Sequence, residues 1–102
     1  MIEKIINNIT DVIGDKSVVV EFDNQTSSRI MFSIKIDVLI NDAYMDRILG
    51  KIKAHFGKYY DNFSYLTATG MIGSEITLSI FPEYLEHLKI QNRIKILKEL
   101  LV

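Results

Sequence analysis

Two stretches of this chain, EKIINNITDVIG at 3–14 and DRILGKIKAHFG at 46–57, share one pattern of charge, apolar side chains and terminal glycine. Glu3 aligns with Asp46, Lys4 with Arg47, Ile5 with Ile48, Ile6 with Leu49, Ile9 with Ile52, Ile13 with Phe56 and Gly14 with Gly57. In both, apolar residues recur every three or four positions, which gathers them on one face of a helix. The glycine supplies the left-handed residue on which helices commonly stop. The segments beyond each helix match as well. SVVVEFD at 17–23 and YYDNFSYLTAT at 59–69 are rich in β-branched and aromatic residues, and RIMFSIKIDVL and EITLSIF alternate apolar with polar. Helices and first strands are offset by 43 residues (46 against 3), second strands by 44 (Ile76 against Phe32).

A repeated helix-strand-strand order leaves few topologies open. Two units, 1–38 and 44–82, read as an internal duplication. They are too few for a solenoid, which needs at least three repeats to bury its faces, so they are expected to pack about a pseudo-twofold axis. Pro82 is tolerated in a first helical turn. It opens a last helix over 83–101 that carries Tyr84, Leu85, Leu88, Ile90, Ile94, Leu97 and Leu101. The expected fold is α+β, a single domain over 1–102 in the order αββαββα. A four-stranded antiparallel sheet with helices on one face would bury every one of these stripes. A ferredoxin-like arrangement is the alternative.

Composition agrees with one globular domain: 102 residues, 48% hydrophobic and 25% charged. No apolar run approaches the ~18 residues needed to span a bilayer. Glu3, Asn7 and Asn8 interrupt the N-terminus as a secretory leader, so an intracellular location is expected. The absence of cysteine excludes disulfides, thiolate catalysis and cysteine zinc clusters. A net charge of −1 provides no global attraction to nucleic acid. Seventeen isoleucines are the usage of an AT-rich genome; two glutamines and no cysteine point toward a thermophile, and six asparagines pull the other way.

The sequence carries no GxSxG elbow, phosphate loop, GxGxxG or HExxH. Glu83 and His87 are four apart on the last helix, but Glu86 is the only further ligand type beside them, so they read as a solvated pair. His55 reads as a surface residue on the second helix. The expectation is a protein without catalytic activity, cofactor or metal. Gly70-Met71-Ile72-Gly73 has the letters of the GxxG loop of KH domains, yet it joins two strands and carries no positive charge.

Two surfaces stand out as binding candidates. If Phe63 and Tyr65 point inward, alternation sends Tyr60 and Leu66 to the other sheet face, where they join Val19 and Met31. An apolar patch bearing a tyrosine is a typical protein contact, and Met71 and Ile72 would extend it. A peptide would dock there, or in the groove between the two units. Self-association is compatible with either. The alternative is nucleic-acid binding through Arg47, Lys51, Lys58, Lys89 and Arg93, because Arg47, Lys51 and His55 form a stripe along helix two that can meet phosphates. KYYDNFSY is similar to an RNA-recognition aromatic strand, without that motif's glycine.

In its whole-chain character, a cysteine-free, isoleucine-rich sequence built on EKIINNITDVIG and DRILGKIKAHFG, the chain resembles the small orphan proteins of filamentous archaeal viruses, an Acidianus filamentous virus in particular. The resemblance implies a viral protein acting in the cytoplasm of its host, with a viral or host protein as partner. It transfers no functional residue.

Overall fold

A computed structural model describes residues 1–15, 17–36, 42–67 and 73–101, with 65–67 described by their backbone alone. Helix α1 (Ile2–Ile13) is followed by β1 (Val18–Gln25) and β2 (Ile30–Ile36). Helix α2 (Asp42–Phe56) and a 3-10 turn (Gly57–Tyr59) lead to β3 (Tyr60–Thr67), β4 (Ser74–Ile80) and α3 (Glu83–Leu100). The strands form one antiparallel sheet in the order β1-β2-β4-β3. This is the expected αββαββα order and not the β-α-β-β-α-β order of ferredoxin-like folds.

The centre of the sheet is symmetric in its register. Ile30 pairs with Ile80, Phe32 with Leu78 and Ile34 with Ile76, about a middle pair of Ser33 and Thr77. Adding 44 to any of these β2 positions gives its counterpart in β4, and the pairing maps onto itself. One face of this sheet buries Val18, Val20, Phe32, Ile34, Ile76 and Leu78 against the helices. Ile5, Ile9 and Ile13 come down from α1, and Met45, Ile48, Ile52 and Phe56 from α2. Each such side chain withdraws apolar surface worth about 1.5–3 kcal/mol. The opposite face leaves Val19, Glu21, Lys35 and Glu75 exposed.

Two features depart from the sequence expectation. The outer strands each carry a bulge: the β1–β2 register shifts between Phe22 and Asn24, and the β3–β4 register between Tyr60 and Asn62. The second departure is α3. Only Tyr84 and Leu88 are buried on it, and every described residue from Lys89 onward is exposed. Ile90, Ile94, Leu97 and Leu101, expected in the core, are therefore outside it. The reason lies in helical spacing. The buried face at Tyr84 and Leu88 continues at i+3, i+4, i+7 and i+11 from Leu88 as Gln91, Asn92, Lys95 and Glu99, all polar. The four apolar residues lie on nearly the opposite side and cannot follow Leu88 onto the sheet. Helix α3 thus runs outboard, and the protein measures 56 × 30 × 20 Å with a radius of gyration of 15.3 Å, where a compact chain of this length has about 13 Å.

Gly14 caps α1 at φ 70°, with its N–H donating to the Thr10 carbonyl at 3.0 Å. Gly50 sits inside α2 with nothing within 4 Å of where a Cβ would go. The two glycines should answer alanine with opposite signs in denaturant melts. Gly14→Ala should cost about 1 kcal/mol from left-handed strain, and Gly50→Ala should gain roughly 0.5–1 kcal/mol.

Candidate functional site

The bulge at Asp61 decides which side of the sheet the aromatic residues of β3 occupy. Strict alternation would put Tyr60 and Phe63 on opposite faces. The extra residue puts them on the same face, with Tyr60 opposite the buried Ile80 and Phe63 opposite the buried Leu78. Tyr60 is half-buried against the core and lies 5.4 Å under the Lys53 ammonium of α2. The expected placement of Tyr60 on the open sheet face is therefore corrected. Asp61 takes the open side instead, accepting from Ser79 Oγ at 3.0 Å and pairing with Arg29 at 3.0 Å.

The rest of the expected patch is not contiguous. Val19 is 53% exposed, but it shares a cross-strand row with Leu66 only across Lys35 and Glu75. Half-buried Met31 lies four residues along β2 from that row, about 13 Å away. Between them Lys35 pairs with Glu21 at 3.2 Å, and Ser33 donates to Glu75 at 2.7 Å. The open face is polar and ion-paired. The Leu66 side chain, Met71 and Ile72 lie outside the described residues.

The groove between the two units is more informative. Helices α1 and α2 lie antiparallel, and a depression opens at each end of their contact. One is lined by Ile13, Gly14 and Asp15 with Tyr44, Arg47 and Lys51 of α2. The other, about 550 Å³, is lined by Lys4 and Asn8 of α1, the 55–59 segment and one side of α3. The 43-residue offset carries Lys4 to Arg47, Asn8 to Lys51, Phe56 to Ile13, Gly57 to Gly14 and Lys58 to Asp15. The two depressions are thus symmetry counterparts that differ in charge. In the first, Asp15 accepts from the Tyr44 hydroxyl at 2.6 Å. That bond, followed by those from Ser17, holds the Asp15 carboxyl below its ordinary range, while burial and Asp15 together push the Tyr44 hydroxyl up to about 12. In the second, no carboxylate among the described residues lines the cleft.

The second cleft also holds an aromatic cluster that sequence reasoning missed. Both histidines of the chain enter it, although each reads from sequence as a solvated surface residue. His87 stacks on Tyr84 at 5.7 Å and 27° and lies 5.2 Å from Tyr59. His55 Nε2 and the Tyr84 hydroxyl share a hydrogen bond of 3.2 Å, and Phe56 meets Tyr84 edge to face at 5.0 Å. This cluster anchors the first turns of α3. The available signal was the 28–29 residue interval between the pairs Phe56/Tyr84 and His55/Tyr84, which no local pattern reveals.

The basic residues expected to meet nucleic acid are dispersed. Arg47 and Lys51 line the first depression, with the Arg47 guanidinium 5.5 Å from the Tyr44 ring. Lys58 lies in the second, 5.3 Å from the Tyr59 ring centroid. Lys89 pairs with Glu86 at 3.1 Å, and Arg93 is exposed on the outboard part of α3. That outboard part carries Ile90, Ile94, Leu97 and Leu101 as one exposed stripe, flanked on one side by the equally exposed Ile96 and Leu100, with Leu97 58% and Leu101 86% exposed. Among the described residues no helix is long and apolar enough to cross a membrane, and no group of three His, Cys, Asp or Glu is placed to hold a metal.

Burial pushes the His55 imidazole below its ordinary value. A histidine whose folded value is depressed stabilises the fold above its unfolded value, and that contribution is lost as pH falls through the folded value. Melting temperature should therefore fall from pH 7.5 to pH 5 more steeply in the wild type than in His55→Gln, as read by circular dichroism. Comparisons with protein families, curated proteins and solved structures find no match for this chain.

Proposed function

We propose that this protein is a non-enzymatic protein-interaction module whose docking element is the outboard half of α3. The carrying observation is the stripe of Ile90, Ile94, Leu97 and Leu101, spaced four, three and four residues apart and turned away from the protein's own core. Ile96 and Leu100 are exposed beside it and widen the apolar face, so the outboard half of α3 offers a partner helix more than a single seam. Four cations and one acid lie between 89 and 101, with Arg93 on one flank of the stripe and Lys98 on the other. In a parallel pair of two α3 helices, Arg93 would meet Lys98, a like-charge contact at the seam edge. Charge complementarity favours a different partner: a helix, or a helical groove, with an apolar seam and acidic flanks. On the resemblance to proteins of filamentous archaeal viruses, that partner would be a viral or host protein. The polar, ion-paired sheet face supports docking less well than α3.

An amphipathic peptide with Leu at the seam positions and Glu at the flanks models such a partner. Anisotropy of the labelled peptide should report binding that falls ~30-fold or more in Ile94→Glu/Leu97→Glu, since seam anchors contribute about 2 kcal/mol or more when they act as hot spots. The same variant should melt within ~0.5 kcal/mol per substitution of the wild type, because both positions are exposed. No binding of the acidic peptide, or equal binding by the variant, would overturn the reading. Tight duplex DNA binding that collapses between ~50 and ~200 mM salt would move the function to the basic side chains instead.

A further inference from the structure

We infer that the cleft between the start of α1, the 55–59 segment and α3 binds a nucleoside monophosphate: a planar base joined to a phosphate. This inference is independent of α3 docking, which uses the opposite side of that helix.

Size comes first. At about 550 Å³ the cleft falls in the range of small-molecule pockets, roughly 300–1,000 Å³. Charge comes next. The chain as a whole is slightly negative, yet the cleft gathers the ammonium groups of Lys4 and Lys58 with no carboxylate among the described residues that line it. A concave site lined by one sign of charge concentrates the opposite ion. Lys4 and Lys58 enter from separate elements, so a phosphate can be gripped from two sides. Neither lysine has an ion-pair partner among the described residues, in contrast to Lys35 and Lys89.

The rings supply the second half of the recognition. Tyr84 is buried and its hydroxyl is engaged by His55, so it serves as the floor. Tyr59 and His87 are only half-buried, with rings tilted 37° to each other. Lys58 already lies 5.3 Å over the Tyr59 ring and Tyr84 stacks on one side of His87. That leaves the other side of His87 as the ring face on which a base can stack, a contact that tolerates any base because every base has a π-face. The Asn8 side chain is hydrogen-bonded to Tyr84, and the Gln91 amide at the same cleft adds a donor and an acceptor.

The symmetry counterpart serves as an internal control. There, the 43-residue offset puts Asp15 where the cleft has Lys58, and its carboxylate is already held by Tyr44. A phosphate is repelled by that carboxylate, and the only lining ring among the described residues is that of Tyr44. Arg47 and Lys51 line that end too, so the two ends of one groove differ by the Asp15 carboxylate and by their rings, both of which favour the second for a nucleotide.

The experiment is a proton and nitrogen-15 NMR titration of the full chain with AMP, adenosine and inorganic phosphate in parallel. The chain has only two histidines, so His55→Gln assigns their imidazole resonances by elimination. AMP should shift His55, His87 and Tyr59 resonances saturably while Tyr44 and Arg47 stay still. Adenosine and phosphate should each bind about tenfold more weakly or worse, since each keeps one half of the recognition. Lys4→Gln/Lys58→Gln, exposed positions whose loss leaves the fold intact, should weaken AMP about tenfold and leave adenosine unchanged. No saturable shift up to ~5 mM AMP, a concentration that would largely saturate a site with a Kd of about 1 mM, overturns the proposal. So does AMP binding that the double variant retains, or shifts centred on Tyr44.

Discussion

The antiparallel pairing of β2 with β4 is the contact on which everything else in the protein hangs. Among the described residues it is the only place where the first αββ unit is bonded strand to strand with the second. Its inward row, Ile30, Phe32 and Ile34 against Ile80, Leu78 and Ile76, is fully buried. Each hairpin extends outward from this pair, and α1 and α2 settle on the one face where the apolar rows are presented. Because the register is centred on Ser33 and Thr77, the helices arrive as antiparallel neighbours, and the groove between them has two equivalent ends. The register of two strands thus fixes where the groove ends lie, and α3 supplies one wall of the candidate ligand cleft.

What makes the two ends unlike is the chain beyond β4. A single proline after Phe81 turns the backbone into α3, whose first turns lay Tyr84 and Leu88 over one end of the groove. At the other end, Tyr44 and Asp15 close the contact with a hydrogen bond of their own. One architecture therefore carries two local chemistries, and the difference rests on a few side chains: Lys58 against Asp15, and the presence of Tyr84 and His87.

Much of this was legible in the sequence, in proportion to how local the determining signal is. Helices α1 and α2, their glycine stops and all four strands follow from spacings of three to four or of two, and they appear where the periodicity puts them. Tyr60 was misplaced because alternation holds only while every residue is paired. The unpaired Asp61, anchored by Ser79 and Arg29, is a tertiary event with no signature in YYDNFSYL. Helix α3 is legible as a helix, but its apolar residues do not share one face: Tyr84 and Leu88 are buried, while those from Ile90 onward are exposed. The distinction was present in the polar run Gln91, Asn92, Lys95 and Glu99. The histidine and tyrosine cluster was invisible for a simpler reason: its members are brought together only by the packing of α3 across the end of α2.

The outboard run of α3 also divides the molecule into parts of unequal permanence. Amides of the central strands can meet solvent only when the whole core opens, because their side chains are shared among both units. Amides past Lys89 are bonded within a helix that no other described element holds, so they open by fraying, at free energies near the low end of the range spanned by native proteins. The same chain therefore keeps two clocks. A slow one is set by the β2–β4 pair, and a fast one runs in the helix that a partner would have to quiet on binding, at an entropic cost charged to that complex alone.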